Sequence, residues 1–346
     1  MLKKKMLLSV VMSALLVTAA AGCGNSDGKK SEEGSGGAQT EKKSYKIAIS
    51  QIVEHPSLDA TREGFLAALK DAGIAEGDNL KVDYKNAQGD SANNLSIAQT
   101  IASEKEDLVL AIATPSAQAI VQQVKDKPVL FAAVTDPLDA KVVTNLDQPG
   151  GNVSGVSDTN PAAVQKLMDF VAKNFPNVKT VGLVINEGEP NAVVMSKNAE
   201  EALSKHNIKL VKAAVTNTSE VKQAAQSLVG RADAIFITLD NMVVSGVDTI
   251  IQVANENHIP FFSSDRDTVE KGAFATVGFK YFDHGYQVGQ MAVDILKNGK
   301  KPGDMKVTMQ EKLDLILNLK AAAAQGIIVT DDMKNEVEDK EKNIIQ

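Results

Sequence analysis

The sequence predicts an α/β protein of two Rossmann-like lobes, each a parallel sheet with helices on both faces, joined by a hinge that the chain crosses several times. Three observations support this prediction. The chain has 346 residues, which suits two domains better than one. From Tyr45 onward, short apolar and β-branched runs alternate with helical patterns. The order of these segments in the first half of the chain then recurs in the second half.

The composition excludes several classes of protein. Hydrophobic residues make up 43% and charged residues 23% of the chain, so it can bury a core and is neither disordered nor fibrous. A net charge of −7 argues against nucleic acid as a partner, because neutralising phosphates requires a basic surface. The single cysteine excludes a disulfide framework and any multi-cysteine metal site.

The first 23 residues have the features of an export signal. Three lysines precede an apolar stretch, Met6–Ala21, that is shorter than the roughly 20 residues of a membrane span. The segment ends in Ala20-Ala21-Gly22-Cys23, which resembles a bacterial lipobox, where the cysteine is lipidated, for example with palmitate, and begins the mature chain. The alternative is an ordinary secretory signal cut near the alanines, with Cys23 incidental. We therefore expect a signal peptide over 1–22 and a lipid anchor on Cys23.

The next segment, 24–43, contains no Ile, Leu, Val or aromatic residue. Because it cannot bury apolar surface, we expect residues 23–43 to form a flexible tether.

The first half of the body reads as alternating strands and helices. The predicted strands are Tyr45–Val53, Leu80–Tyr84, Leu108–Ala113 and Val129–Val134, and the predicted helices are Leu58–Leu69, 91–104 and 115–125. Gly73 gives a C-cap signal for the first helix.

Two pairs of segments share one plan. Residues 107–136 and 233–265 each contain an apolar strand, a Thr/Asp turn, a helix, a Pro-containing loop, a second strand and a turn that ends in Asp. Residues 45–84 and 180–215 share a strand–helix–strand plan. The alternative is that any α/β chain resembles itself at this level of detail.

Three segments are predicted to join the lobes: Val153–Asp158, the helix Tyr281–Leu296 and Val307–Leu313. Lobe 1 is then 45–157 plus about 282–306, and lobe 2 is 158–281 plus about 307–346. Repeated crossings imply a hinge with a cleft between the lobes.

Ligands of open parallel sheets bind beyond the carboxyl ends of the strands. Six turns are predicted to face the cleft: 51–59, 114–117, 135–139, 186–191, 240–242 and 264–267. The candidate ligand-binding residues in or beside them are Gln51, His55, Asp59, Thr114, Pro115, Ser116, Ala117, Thr135, Asp136, Asp158, Asn191, Asp240, Asn241 and Asp265.

The turn Thr114–Ala117 suits a carboxylate. Thr is a good N-cap and Pro suits the first helical position, so the backbone N–H groups of Ser116 and Ala117 would be free to bind an anion. Plain helix capping explains the same residues equally well.

The acidic turns suit a cation. Asp136, Asp240 and Asp265 each follow an apolar strand, where a carboxylate could pair with an ammonium group, although each alone could simply cap a helix. An anion pocket together with carboxylates describes a receptor for a zwitterion such as an amino acid. The absence of tryptophan is a weak argument against sugars.

The sequence offers little for catalysis, a metal or a cofactor. Cys23 is assigned to the anchor, and His55, His206, His258 and His284 are scattered without a metal-binding spacing. His206 and His258 are interpreted as surface capping residues, whereas His55 lies in a predicted cleft turn. No nucleotide-binding or nucleophile motif is present, so we expect neither an enzyme nor a cofactor.

The chain from about Lys46 onward resembles bacterial ABC-transporter substrate-binding lipoproteins of the tryptophan/tyrosine-binding type. The matching stretches are ISQIVEHPSLDATREGFLAAL (49–69), IATPSAQAIV (112–121), VLFAAVTDPLDAKVV (129–143), GNVSGVSD (151–158) and YFDHGYQVGQMAVDIL (281–296). The resemblance implies a type I periplasmic-binding-protein fold, lobe closure, and delivery of an aromatic amino acid (Trp, Tyr or Phe) to a membrane permease with an ATPase. It also implies a monomer outside the cell, anchored to the outer face of the cytoplasmic membrane.

Other functions stay open at this point. One is a surface adhesin or interaction lipoprotein, and another is a receptor for a different solute, such as a branched-chain amino acid or a sugar. A secreted enzyme on the same fold lacks the motifs it would need. A ligand-sensing regulator is excluded because the signal peptide exports the chain and no helix-turn-helix precedes the body.

Overall fold

The computed structural model describes residues 43–346. The predicted signal peptide, Cys23 and nearly all of the predicted tether lie outside the described residues. The strands, in chain order, are β1 (Tyr45–Gln51), β2 (Leu80–Asn86), β3 (Leu108–Ile112), β4 (Val129–Val134), β5 (Val153–Ser157), β6 (Thr180–Ile185), β7 (Lys209–Ala214), β8 (Ala234–Ile237), β9 (Phe261–Ser263), β10 (Ala275–Gly278), β11 (Thr308–Met309), β12 (Asp314–Asn318) and β13 (Ile344–Ile345).

The helices, in chain order, are α1 (Pro56–Asp71), α2 (Ser91–Ser103), α3 (Thr114–Gln123), α4 (Pro161–Asn174), α5 (Pro190–Ser204), α6 (Val221–Leu228), α7 (Asn241–Ser245), α8 (Val247–Asn257), α9 (Arg266–Lys271), α10 (Tyr281–Asn298), α11 (Leu319–Ala324), α12 (Asp331–Asn335) and α13 (Lys340–Asn343). Single 3₁₀ turns lie at Thr218–Glu220 and Pro302–Asp304. Among residues 43–346, no helix combines the length and the apolar character needed to cross a bilayer.

The strands form two sheets that share one plan. The first sheet has the order β11-β5-β4-β3-β1-β2, and the second has the order β13-β12-β10-β9-β8-β6-β7. The first five strands of each half therefore follow the same order, 5-4-3-1-2. We call the part built on the first sheet lobe 1 and the part built on the second sheet lobe 2. This repetition confirms the two-lobed α/β architecture.

One strand pair departs from the predicted parallel sheets. Strand β12 runs antiparallel to β10 in lobe 2. The chain leaves lobe 2 at the cleft edge after β10 and forms β11 in lobe 1. It then re-enters lobe 2 through the same edge as β12, so β12 must run in the opposite direction to β10. The chain passes between the sheets at 158–160, 279–280 and 310–313. The predicted boundary at 306/307 lies just before β11, which pairs with β5 in lobe 1.

Each sheet buries both faces. Along β3, Leu108, Leu110 and Ile112 pack into one apolar cluster of lobe 1, whereas Val109 and Ala111 pack into the other. This alternation explains why the strand is a continuous apolar run, since successive side chains of a strand point to opposite faces. Two further apolar clusters cover the two faces of the second sheet.

Helices α1 and α10 pack closely on one face of lobe 1. A Cβ on Gly285 would overlap the carbonyl oxygen of Thr61, and one on Gly64 would overlap that of Phe282. Because only glycine lets the two backbones approach so closely, these positions attach α10 to lobe 1 although the chain reaches it from lobe 2.

Candidate functional site

Turns from both lobes surround a cavity, which we call the central cavity. In each sheet, the first strand lies between the second and the third. The order in which strands are added to the sheet reverses at this point, which leaves a crevice at the carboxyl ends of the strands. The central cavity occupies this position. Its lining residues are His55, Ser57, Leu58, Ala133, Thr135, Asp158, Asn191, Leu239, Asn241, Val244, Asp265 and Tyr281.

The structure brings part of the sequence-predicted set together. The candidates that line the central cavity are His55, Thr135, Asp158, Asn191, Asn241 and Asp265. The other candidates, Gln51, Asp59, Thr114, Pro115, Ser116, Ala117, Asp136 and Asp240, lie outside its lining.

Gln51 and Asp59 belong to a separate polar network in lobe 1. Nε2 of Gln51 donates to Oδ1 of Asp59 at 2.9 Å, and Arg62 donates to Oε1 of Gln51 at 2.9 Å. Arg62 also pairs with Asp59 at 3.0 Å. Their polar atoms therefore bond to one another.

The turn at Thr114–Ala117 forms a helix start, but one residue earlier than predicted. Ala113 is the N-cap, with φ +78°, and the N–H of Ala117 donates to its carbonyl oxygen at 3.0 Å. The predicted anion pocket therefore needs correction, because the Ala117 N–H is used inside the helix. Oγ of Ser116 donates to Asn94 at 3.3 Å, and Oγ1 of Thr114 accepts from the N–H of Thr135 at 3.4 Å. Pro115 lines a wider opening of about 1630 Å³ between the lobes.

Two of the three acids predicted to hold an ammonium group cap backbone instead of lining the cavity. Oδ1 of Asp136 accepts from the N–H groups of Leu138 and Asp139, each at 3.0 Å. Asp240 caps α7 through the N–H of Val243 at 3.1 Å. Burial and the nearby Glu189 raise the pKa of Asp240 well above its usual value.

Asp158, like Asp265, is a buried carboxylate that lines the central cavity. It accepts hydrogen bonds from the hydroxyls of Tyr281 at 3.1 Å and Thr159 at 3.2 Å. Within the described part of the chain it forms no ion pair with a lysine, arginine or histidine. Burial outweighs these hydrogen bonds and raises the pKa of Asp158 to about 6. A cation bound beside it would restore the ionised form.

Asp265 links the two lobes. Its Oδ1 accepts from Oγ of Ser57, in lobe 1, at 3.0 Å and from the N–H of Thr268 at 2.7 Å. Its Oδ2 accepts from Oγ of Ser263 at 2.9 Å. The neighbouring Asp267 is mostly buried, and burial together with the charge of Asp265 raises its pKa to about 7.

A second contact across the cleft joins His55 to Asn241. Nε2 of His55 lies 3.4 Å from Oδ1 of Asn241, whose Nδ2 donates to Glu189 at 2.6 Å. Burial lowers the pKa of His55, so the ring is neutral and its Nδ1 is a bare acceptor. In residues 43–346, neither this Nδ1 nor Oδ1 of Asn191 has a hydrogen-bond partner. Both belong to side chains that line the cavity, beside Asp158.

The N-terminus of α1 supplies donors to the same cavity. His55 is the N-cap and makes no side-chain capping bond, and Ser57 and Leu58 in the first turn line the cavity. First-turn N–H groups have no partner within a helix and carry partial positive charge. This 16-residue helix, not α3, therefore presents an anion-binding end to the central cavity.

Sequence reasoning missed half of the lining. Ser57 and Leu58 lie inside the predicted turn 51–59 but were passed over as the start of a helix face. Ala133 has a left-handed backbone, with φ +55°, and its N–H donates to Nε2 of the buried His284 at 2.9 Å. Nothing local to Leu239, Val244 or Tyr281 marks them as cavity residues.

A second cavity adjoins the central cavity and shares Asp158 and Leu239 with it. Its lining is largely apolar: Asp158, Thr159, Asn160, Ala163, Val164, Leu167, Met195, Leu239, Ser264, Val277, Gly278, Phe279 and Leu313. Phe279 packs against Tyr281 with ring centroids 5.1 Å apart, so an aromatic pair stands where the cavities meet. Few aromatics are in the chain, and two of them line these cavities.

The carboxylates that could hold a metal ion lie elsewhere. Asp83, Glu104 and Glu106 bring ligand atoms within 4.8 Å of one another. Nζ of Lys46 lies 2.6 Å from Glu106, and Lys85 lies 2.9 Å from Asp83. These two ammonium groups offset two of the three carboxylate charges, and the cluster belongs to neither cavity.

Known proteins resemble this chain over most of its length. The family model for ABC transporter substrate binding proteins matches residues 46–340. The chain belongs to this family. A curated relative from Clostridioides difficile (strain R20291), the tyrosine-binding protein, is 40% identical over 319 residues, which cover 92% of this chain and 91% of the relative. Substrate-binding proteins of this kind are extracytoplasmic and serve an ABC transporter.

Two solved structures of ABC substrate-binding proteins bear on the lobe arrangement. An ABC domain in complex with L-Trp from Streptococcus pneumonia gives a TM-score of 0.81 at 32% identity, over 88% of this chain and 100% of that one. The ligand-free, open structure of CD0873 from Clostridium difficile, a substrate binding protein with adhesive properties, gives a TM-score of 0.63 at 40% identity, over 87% of this chain and 98% of that one.

This substrate-binding protein is thus closer in shape to the L-Trp complex than to the open form, although the open form is closer in sequence. Sequence identity therefore does not explain the lower TM-score of the open form. The hydrogen bonds Ser57–Asp265 and His55–Asn241 require the lobes to be in contact. The described residues adopt a closed form of the type I periplasmic-binding-protein fold.

Proposed function

We propose that this protein captures an amino acid with an aromatic side chain between its lobes and delivers it to the permease and ATPase of an ABC importer. The observation that carries the proposal is Asp158, a buried carboxylate without a charged partner in the described residues, placed where a polar and an apolar cavity meet. A zwitterion with a ring has complementary parts. The names of the relatives, a tyrosine-binding protein and an L-Trp complex, support this ligand class.

In this proposal the ammonium group binds Asp158. The bare acceptors Nδ1 of His55 and Oδ1 of Asn191 accept hydrogen bonds from its remaining N–H groups. An ammonium group beside a desolvated carboxylate forms charge-assisted hydrogen bonds, which are stronger than neutral ones.

The ligand carboxylate binds at the N-terminus of α1. The N–H groups of Ser57 and Leu58 lie in the first turn of a 16-residue helix, at its positive end, where an anion is stabilised. The ring then extends past Asp158 into the second cavity, among Leu167, Met195 and Phe279. Both charges of the amino acid are thus met by opposite charge.

Capture and release need only a change of lobe arrangement. Closure brings Ser57 to Asp265 and His55 to Asn241, and opening breaks both contacts. No side chain of the central cavity is needed as a nucleophile in this proposal. The protein therefore acts as a receptor without a chemical step, and it acts as a monomer.

The proposed place of action follows from the N-terminal segment. A signal peptide over 1–22 exports the chain, and a lipid on Cys23 holds it at the outer face of the cytoplasmic membrane, with residues 24–43 as the tether.

The test is a ligand screen on the purified protein. Melting temperatures are measured with each of the twenty amino acids, with glucose and galactose, and with short peptides, because a saturating ligand raises the midpoint by mass action. We expect Trp, Tyr or Phe to give the largest rise in melting temperature. The affinity for that ligand is then measured by calorimetric titration. A rise with sugars alone, or with branched-chain amino acids above aromatic ones, would contradict the proposal.

A second candidate function is adhesion at the cell surface, supported by the 40% identity to CD0873, a substrate binding protein with adhesive properties. Beads coated with the protein should then bind epithelial monolayers above albumin-coated beads. Asp158→Asn beads should bind equally well if adhesion does not use the amino-acid site. Coated beads that bind no better than albumin would remove this candidate.

A further inference from the structure

Ser264 is a residue of the largely apolar second cavity and carries a buried hydroxyl. The residue lines that cavity together with apolar side chains such as Val164, Leu167, Val277 and Leu313. Its Oγ is buried and has no hydrogen-bond partner among residues 43–346. Buried hydroxyls in proteins are almost always paired, so an unpaired one needs an explanation.

The other polar side chains of the second cavity already have partners. Oγ1 of Thr159 donates to Asp158 at 3.2 Å. Oδ1 of Asn160 caps α4 by accepting from the N–H of Ala162 at 3.1 Å. Asp158 is assigned to the ligand ammonium group by the proposed function. Ser264 is therefore the polar side chain of this cavity that is left for the ligand side chain.

The turn that carries Ser264 is held firmly. Its N–H donates to the carbonyl oxygen of Ile237 at 3.1 Å, which ties the turn to strand β8. On either side, Ser263 donates to Asp265 at 2.9 Å, and Asp265 caps α9. Because the backbone on both sides is fixed, Ser264 is held in the wall of the second cavity, and a short side chain such as serine needs to order only one torsion to pair with a ligand.

We propose that Ser264 is a specificity residue that pairs with a polar hydrogen on the ring of the ligand, either the phenol O–H of tyrosine or the indole N–H of tryptophan. This inference rests on the proposed function and deepens it. A phenyl or aliphatic side chain would fill the same space but leave the hydroxyl buried and unpaired. A site built to hydrogen-bond a group discriminates strongly against the analogue that lacks it. The pocket therefore selects a ring with a donor over phenylalanine and leucine.

The test compares affinities for tyrosine, tryptophan and phenylalanine by calorimetric titration. In the unmodified protein we expect tyrosine or tryptophan to bind about ten-fold or more tightly than phenylalanine, the ratio that one well-made hydrogen bond gives. Ser264→Ala should lose most of that ratio, because affinity for the preferred ligand falls while affinity for phenylalanine is kept or improved. Which of the two polar rings loses affinity identifies the natural partner. Ser264→Thr keeps a hydroxyl and should restore part of the preference.

Ser196→Ala is the matched control. Ser196 is also a buried serine of lobe 2 whose Oγ has no partner among the described residues, but it lines neither cavity. Its substitution should leave all three affinities and their ratio unchanged. A folded Ser264→Ala protein that keeps the ratio would overturn the role of Ser264 and leave the proposed function standing. If no aromatic amino acid binds the unmodified protein, the proposed function fails first, and this inference fails with it.

Discussion

The hydroxyl of Ser57 donates a hydrogen bond of 3.0 Å to Oδ1 of Asp265 and thereby crosses the cleft. Ser57 lies in the first turn of α1 in lobe 1, and Asp265 is the N-cap of α9 in lobe 2. The same carboxylate also closes the local turn through Ser263 and Thr268. The Asp265 side chain therefore stabilises its own turn and also makes a contact that exists only when the two lobes are close together.

Replacing Ser57 by alanine should favour the open form. Asp265 would keep its partners within lobe 2 but lose the one across the cleft, at a cost of about 1 kcal/mol, so ligand affinity should fall roughly five- to ten-fold. Small-angle scattering of the unliganded protein should show a larger radius of gyration. Ser204→Ala, whose hydroxyl bonds within α5 to Glu201, is the control. Unchanged scattering and affinity would show that this hydrogen bond does not stabilise closure.

Asp158→Asn should abolish most ligand binding while the fold is kept. Loss of the charge-assisted bond to an ammonium group costs about 1.5–3 kcal/mol, or roughly ten- to a hundred-fold in affinity. Asp136→Asn is the control, because Asp136 caps its own loop and lies outside the cavity lining. Calorimetric titration of both variants compares Asp136, one of the three acids predicted from sequence to hold the ammonium group, with Asp158, which the cavity favours. Equal losses in the two variants would count against Asp158.

Asp158 should also make the unliganded fold less stable as the pH rises. Its pKa is raised from 3.8 to about 6, so the folded state holds a proton that the unfolded state has already lost between these values. Stability from this group is therefore present below pH 4 and declines as the pH rises through 6, by up to a few kcal/mol. Comparing melting temperatures of Asp158→Asn and the unmodified protein isolates the effect. The variant should be the more stable at pH 8 and show little advantage at pH 4.

The same titration should appear in ligand binding with the opposite dependence. The ammonium group pairs with the ionised carboxylate, so below pH 6 a proton must leave Asp158 before the ligand binds. Affinity should fall about ten-fold between pH 7 and pH 5, one pKa unit on either side of the midpoint. Asp158→Asn should bind weakly with a flatter pH profile. A variant as pH-dependent as the unmodified protein would assign the titration to another group, such as Asp267.

Gly285→Ala should destabilise lobe 1 severely. The added methyl group would overlap the carbonyl oxygen of Thr61 in α1, so α10 must move away from its place on the lobe. We expect a loss of about 3 kcal/mol or more in the free energy of unfolding, measured by urea denaturation without ligand. Gly278→Ala is the control, because its nearest atoms would be 3.9 Å from the new Cβ. Similar midpoints for the two variants would contradict the close packing of the helices.

Cys23→Ser should release the protein from the membrane. If Cys23 carries the lipid, the full-length chain made in a bacterial host should incorporate labelled palmitate and sediment with membranes. The serine variant should do neither, because serine offers no thiol to the lipid-transferring enzyme. Labelling that persists in the variant would place the anchor elsewhere, and a soluble unmodified protein would favour an ordinary secretory signal.

The architecture could be predicted from the sequence because strands and helices are determined largely by the pattern of residues within short segments. The runs at β3 and β4 are apolar throughout, which requires burial of both sheet faces, and the intervening helix is marked by Thr114 and Pro115. The direction of strand β12 could not be predicted, because it depends on where the chain re-enters lobe 2.

The candidate site was predictable only as far as its turns. Asp136 and Asp158 both follow a buried strand, and local sequence does not tell which carboxylate turns back to cap its own loop. Tyr281 lies 123 positions from Asp158 and reaches it only because α10 returns to lobe 1. The sequence left open how a chain with 4% aromatics could bind an aromatic ligand, and Phe279 and Tyr281 now answer part of that question.

The sequence by itself determined the two repeated α/β lobes, the hinge with its cleft, and the family, because strand and helix patterns and turn residues are properties of short segments. Only the tertiary structure decided which turns form the cavity, that α1 rather than α3 presents its N-terminus there, and that Asp158 is buried in its wall without a charged partner among residues 43–346. The physical reason is that burial and pairing of a charge depend on groups brought together from distant parts of the chain, and these set its pKa and its free energy.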